Sequence, residues 1–415
     1  MARLVAQAAG ILTAIILLLL VISLHLSTNG QILTAFVYTD SGTRYFVLLD
    51  TRRNLPYWIH QPIEALRGVY FSPNGRRALI PYGETSQLMR LAIFDLTTQR
   101  LIRNIGEYDT CSPSYDALVW SPNSRYVLFD CKPTAAAPGS SGLHIMDYEA
   151  QRTWKVASGQ FSGLSLWSPN GESLLINGSE ILNLSSDIRQ HLPPGAWLAR
   201  WLPDSSHAIL VIDDDILFDD GTIISADLSV APTFFEVSPD GHYLAFVAQE
   251  KGLQRLYVVN LTTFERTLLD GGDLKIDAVQ RGVWSPDAKW IAVEALNEWG
   301  SRDLYLIAPD TNRAYWVAED AILPIWSPDS THLAYLALNR SSITGDQLVV
   351  WDVASQAVKL TIDDAEQAAW SIDGLVHIRR VFGHSSYVPR QLYLDEHRML
   401  NRNIISFAIW EHNHD

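Results

Sequence analysis

One short phrase recurs along this chain and restricts its fold more than any other feature. Ser238-Pro239-Asp240-Gly241 sits between FFEV and HYLAFVA, and Ser285-Pro286-Asp287-Ala288 sits between GVW and KWIAVEA. Related phrases begin at Ser72, Ser121, Ser168, Leu202, Ser327 and Ser371, so successive copies start 49, 47, 34, 36, 47, 42 and 44 residues apart. Self-similarity at a period of about 20–50 residues marks stacked structural repeats. The turn chemistry gives the phrase a shape. Proline presets φ for the second position of a type I turn, Asp or Asn is tolerated at the third, and Gly accepts the left-handed conformation that follows. Each copy is therefore expected to join two antiparallel strands. Ser124, Ser205, Ala288 and Ser330 replace the glycine, and Ala288 in particular is expected to be strained.

The flanks predict a four-stranded unit. A short strand ending in an aromatic precedes seven of the eight turns: Trp120, Trp167, Trp201, Trp284, Trp326 and Trp370, with Phe71 at the first copy. An apolar run follows that does not alternate with polar residues, as expected of a strand covered on both faces. A third strand ends in a second turn signal such as Asp95-Leu96-Thr97-Thr98 or Asp352-Val353-Ala354-Ser355, and a fourth strand closes the unit. Four strands per repeat is one blade of a β-propeller. Residues 32–60 resemble strands two to four of a blade without its first strand, and SFAIWEHN places Trp410 at the repeat's aromatic position. The C-terminal strand is therefore expected to complete the N-terminal blade and close the ring, which removes exposed sheet edges. The expected fold is all-β, a propeller of about eight four-stranded blades over residues 32–415, with seven and nine open because the units at 168–202 and 202–238 are short. The Trp at the repeat position are expected to be inter-blade core.

Residues 4–26 are a separate object. They contain no Lys, Arg, Asp or Glu, and at about 1.5 Å per residue a helix of this length spans roughly 35 Å, enough for a hydrocarbon core. Arg3 is the only charge before it, which places the N-terminus in the cytoplasm and the propeller outside it. The rival is a cleaved signal peptide, whose cut after Thr28-Asn29-Gly30 is a poor match to the small-residue rule. The expectation is a single-pass anchor with an extracytoplasmic propeller. The net charge of -15, without clustered Lys or Arg, argues against nucleic acid as a partner.

The aromatic-Ser-Pro-Asp-Gly turn, with Leu256-Tyr257 and Leu304-Tyr305 in the third strands, resembles the TolB-like relative of the WD repeat. The resemblance covers nearly all of residues 32–415. It implies a propeller that binds protein or ligand, often in the cell envelope, and it carries over no catalytic residues because the shared motif is a turn. The chain lacks the extra N-terminal domain of TolB itself.

Chemistry-bearing motifs are sparse. There is no G-x-S-x-G elbow, Walker motif, H-E-x-x-H or paired CxxC. No cofactor is expected. One Ca²⁺ candidate lies in Asp213-Asp214-Asp215…Asp219-Asp220, with Asp213, Asp215 and Asp219 as ligands, because hard cations take several carboxylate oxygens. The spacing does not match an EF-hand loop, and two solvated hairpin turns account for the same residues. His377, His384, His397, His412 and His414 lack convincing ligand spacing and read as surface or turn histidines. Trp299 stands in a loop, outside the repeat's own aromatic position. With Glu298 and Arg302 it forms the best candidate contact loop for a protein partner. The loops at 133–139 and 341–345 are expected on the same face. Cys111 and Cys131 are the only cysteines, and in an exported protein a disulfide between them is favoured. These observations point to a membrane-tethered binding scaffold. The alternative is a hydrolase or lactonase with a metal or carboxylate site at the channel mouth.

Overall fold

The computed structural model describes residues 32–409, apart from 39–43, 51–55, 60–68, 83–89, 104–110, 114–117, 134–140, 159–164, 226–231, 233, 251, 339–345, 372, 381–389 and 401–402. The apolar segment 4–26 and Trp410 lie outside the described residues. Among the described residues, no helix is long and apolar enough to cross a membrane.

The described strands form nine antiparallel sheets. Eight are made of consecutive strands, and one joins the two ends of the chain. In that sheet, blade 1, strand Asn403–Ile409 pairs with Ile32–Tyr38, followed outward by Arg44–Asp50 and Pro56–Ile59. Blades 2 to 9 start at Tyr70, Cys111, Leu166, Ala196, Phe234, Val279, Ala321 and Ala365. The open blade count therefore resolves as eight contiguous units plus the shared one. The short units are complete sheets. Blade 4 turns through Asn177, Gly178 and Ser179 and blade 5 through Asp213 and Asp214, so tight turns, not missing strands, shorten their spacing.

An apolar cluster lies at every seam between successive blades. Phe36 and Phe46 of blade 1 pack with Ala78 and Phe94 of blade 2, and the series continues to blade 9, where Val376 and Leu392 pack against Leu33 and Val47 of blade 1. Nine seams for nine sheets make a closed ring. First strands of neighbouring blades lie against one another at the 5–6, 6–7 and 8–9 seams, which places them innermost. The fourth strands face out, and Ile188–His191 is exposed along its whole length.

The repeated phrase forms the turn between the first and second strands, as its composition predicts. Position four is left-handed in seven copies, including Ala288 at φ 58°. The serine has a role not visible in the composition. In Ser285-Pro286-Asp287, the buried Ser285 hydroxyl donates to Asp287 Oδ1 at 2.7 Å and accepts the Trp290 N–H at 3.0 Å. Ser72, Ser121, Ser168, Ser238 and Ser327 repeat the arrangement. Each turn thus satisfies its own buried polar groups, as burial requires.

Three of the four copies without glycine have a second reason. Ser124, Ser205 and Ser330 each accept, through Oγ, the backbone N–H of the third motif residue in the preceding blade: Asn74 at 3.1 Å, Asn170 at 3.0 Å and Asp287 at 3.0 Å. The hydroxyl offsets the cost of a left-handed non-glycine residue by joining two blades. Ser330→Ala is expected to destabilise by about 1 kcal/mol, losing the bond while keeping the strain, and Ser330→Gly by less. Urea denaturation of both variants checks the order, and an equal loss would remove the strain from this account.

The described repeat tryptophans are inter-blade core, as expected, and all but Trp167, whose Nε1 has no partner, also form a ladder. Trp120 Nε1 donates to the Tyr70 carbonyl at 3.0 Å, and Trp201, Trp284, Trp326 and Trp370 donate to Leu166, Glu236, Val283 and Ile325. The acceptor is in each case one residue before the motif aromatic position of the blade behind, so apolar burial and a directed bond fix the same seam.

Candidate functional site

Among the described residues, the most exposed large apolar side chain is Trp299 of blade 7, at 82%. It stands on the turn between strands Ile291–Leu296 and Arg302–Ala308. Asn297 builds that turn. Its Oδ1 accepts the N–H groups of Trp299 and Ser301, both at 3.0 Å, and its backbone exchanges bonds with Ser301 and Gly300. Asn297 Nδ2 donates to Asp303 Oδ1 at 3.1 Å, and the Tyr305 hydroxyl donates to Asp303 Oδ2 at 3.3 Å. Burial and the neighbouring Asp303 charge push the Tyr305 phenol up to about 12. A solvent-facing indole on so fully bonded a turn loses little conformational freedom when it is covered.

Arg302, grouped with Trp299 by sequence, serves the base of the turn. Its Nη1 lies 3.6 Å from Glu294 Oε2, and Arg281 Nε lies 3.5 Å from Glu294 Oε1. Glu294 is 1% exposed, and its Oε1 accepts the Leu323 N–H of blade 8 at 2.9 Å. Two arginines therefore balance a buried carboxylate that links blades 7 and 8. Glu298 is exposed beside Trp299. Leu253, Leu274, Leu296 and Leu323 are exposed at the same end of blades 6 to 8, where second strands lead into third and fourth into first. The loops at 133–139 and 341–345, expected on this face, also connect second to third strands, but 134–140 and 339–345 lie outside the described residues.

The acidic stretch does not converge. Asp213 and Asp214 form one exposed hairpin turn with Asp215 beside it, whereas Asp219 lies beyond the other end of strand Asp215–Phe218 and accepts from His207 Nδ1 at 2.8 Å. Asp215 and Asp219 are four residues apart along extended chain, roughly 13 Å at strand rise. Among the described residues, no three His, Cys, Asp or Glu gather to hold a metal. Cys111 and Cys131 lie on paired strands of blade 3, offset in register, with Cys131 opposite Pro113 and Cys111 opposite Pro133. Their side chains lie outside the described residues, as do His384, His412 and His414.

His377 corrects the surface reading of the C-terminal histidines. It is 0% exposed within strand Gly374–Arg380, stacks on Tyr393 at 5.4 Å, and has no hydrogen-bond partner at either ring nitrogen. The Leu375 carbonyl favours the charged form. Burial outweighs that and pushes the imidazole down to about 4.

A feature that sequence reasoning missed opens on the opposite, motif-turn face. In an intact turn, Ser285 pairs with Trp290, five residues on, but in the worn blade 9 copy Ser371 pairs with Gly374, three residues on. The turn is two residues shorter, and no bond like Asp287 to Ser330 joins Asp329 to blade 9 among the described residues. A cleft of about 660 Å³ remains between blades 8 and 9. Val350, Leu360 and Trp370 line it with apolar surface, blade 9 contributes Asp373, Asp395 and Glu396, and blade 8 contributes Asp329, His332 and Lys359. The blade 8 groups form a chain of bonds. Lys359 Nζ donates to His332 Nε2 at 2.9 Å, His332 Nδ1 lies 2.7 Å from Thr331 Oγ1, and Thr331 Oγ1 donates to Asp329 Oδ1 at 2.8 Å. The Ser327 and Thr331 bonds hold the Asp329 carboxyl down at about 2.

No protein-family model matches the chain, and no curated protein matches it by sequence. Solved structures do match. A eukaryotic initiation factor superimposes with a TM-score of 0.62 at 14% identity, over 92% of this chain and 96% of that one. The chain is a β-propeller. At that identity the likeness shows the fold alone. Oligogalacturonate lyase from Vibrio parahaemolyticus matches at TM-score 0.41 and 13% identity, over 79% of this chain and 99% of that one. TolB from Acinetobacter baumannii matches at 0.33 and 13%, over 80% and 78%. Scores at that level carry no argument for either activity.

Proposed function

We propose that this chain is a non-enzymatic binding scaffold of the cell envelope, held to the membrane by residues 4–26, with an extracytoplasmic propeller whose Trp299 face docks a protein partner. The observation that carries the reading is Trp299 itself. A large apolar ring is exposed on a turn whose polar groups are already bonded, among exposed leucines of three adjacent blades. Aromatic side chains presented in this way are the usual anchors of protein interfaces, and truncating one costs about 2–4 kcal/mol of binding.

The test is cross-linked capture from native membranes with the full chain and two variants. Trp299→Ala is expected to lose the captured partner by a factor of about 30 or more, with an unchanged unfolding midpoint. Trp316→Ala, which removes an indole 54% exposed on the outer strand of the same blade, is expected to retain it. Equal recovery in all three would remove the partner face from this reading.

A further inference from the structure

We infer that the cleft between blades 8 and 9 binds an organic cation, a guanidinium or primary amine carried on an apolar stem. The cleft follows from the sequence, because blade 9 alone among the copies described shortens its motif turn and leaves the seam uncovered. About 660 Å³ is the size of a small-ligand pocket. Its chemistry is divided between two walls. On blade 8 the single lysine is already engaged by His332, which also lies 3.5 Å from Asp352. On blade 9 Asp373, Asp395 and Glu396 set a negative wall.

Asp395 is fixed in place. Its Oδ1 accepts the Leu375 N–H at 2.9 Å, its own N–H donates to the Leu375 carbonyl at 2.8 Å, and its backbone is left-handed at φ 48°. Its Oδ2 sits over Gly374, where an added Cβ would meet it at 2.5 Å, so the glycine makes room for the carboxylate. Between the walls, the Trp370 ring and the Val350 and Leu360 side chains offer a surface for methylene groups and for a cation over an aromatic face. The chain's net charge of -15 draws cations toward the ring.

The experiment is calorimetric titration of the full chain in detergent with n-butylguanidinium and, separately, with acetyl-Ala-Arg-Ala-amide, using pentanoate as the charge-reversed control. The cations are expected to bind and pentanoate is not. Tighter binding of the peptide would identify an arginine side chain of another protein as the source, and tighter binding of n-butylguanidinium a free small molecule. Glu396→Gln is expected to weaken binding about tenfold, as is Leu360→Trp, which fills the floor without touching a charge. Trp299→Ala is expected to leave the titration unchanged, so the outcome is separate from that of the partner face. No binding of either cation, or binding indifferent to both cleft substitutions, would overturn the inference.

Discussion

Trp326→Ala is expected to lower the stability of the propeller by about 3–5 kcal/mol, the cost of removing a large aromatic from a packed core. The residue is buried in the cluster between blades 7 and 8, with Leu306, Leu333 and Trp351, and its indole N–H holds the Val283 carbonyl at 3.1 Å. Trp326→Phe keeps most of the burial and loses the bond, for an expected loss of about 1–2 kcal/mol. Urea denaturation of the two variants measures both parts. A loss below about 1 kcal/mol for the alanine variant would mean that the ladder does not hold the ring together.

The second large effect is on acid stability and comes from His377. Its imidazole titrates at about 4 in the fold, pushed down first by burial, against an ordinary value of 6.5. Between those two values the unfolded chain binds a proton that the folded chain refuses. Stability therefore falls as pH drops from about 6.5 to about 4, by about 3 kcal/mol for this one group. Above 6.5 neither state is protonated and the term is constant. His377→Phe keeps a ring against Tyr393 and removes the proton. The difference in unfolding free energy between variant and parent is expected to shift in favour of the variant across that window. Curves that fall in parallel from pH 7 to pH 4.5 would assign the acid sensitivity to other groups.

The architecture could be read from the sequence because each level of the repeat agrees with the next. The turn residues, the aromatic before them and the doubly covered strand after them all state the same blade. The number of blades was harder. Spacing measures loops as well as strands, and Asp213-Asp214 closes a hairpin in two residues where other blades use many more. Trp299 was legible as an aromatic out of place in the repeat, but Arg302 was not, because its partner Glu294 looks in sequence like one more residue of an apolar strand. The three serines standing in for glycine read as imperfect copies, yet the backbone N–H groups that donate to them lie 35 to 50 residues away. The 8–9 cleft was hidden for the same reason. A two-residue shortening looks like wear in one repeat and becomes a cavity only when the neighbouring blade is placed against it.

The pairing of Ile32–Tyr38 with Asn403–Ile409 also sets a direction. Leu33 lies opposite Ile409 and Tyr38 opposite Asn403, so the chain enters the ring at the end of the sheet where the motif turns lie. If residues 4–26 are the anchor proposed above, few residues separate the lipid from that point of entry. The disc would then stand with its motif turns and the 8–9 cleft toward the membrane surface, and with Trp299 raised on the far side. A partner arriving from the aqueous space would meet the indole first, whereas a guest of the cleft would have to be drawn from the narrow layer between protein and headgroups.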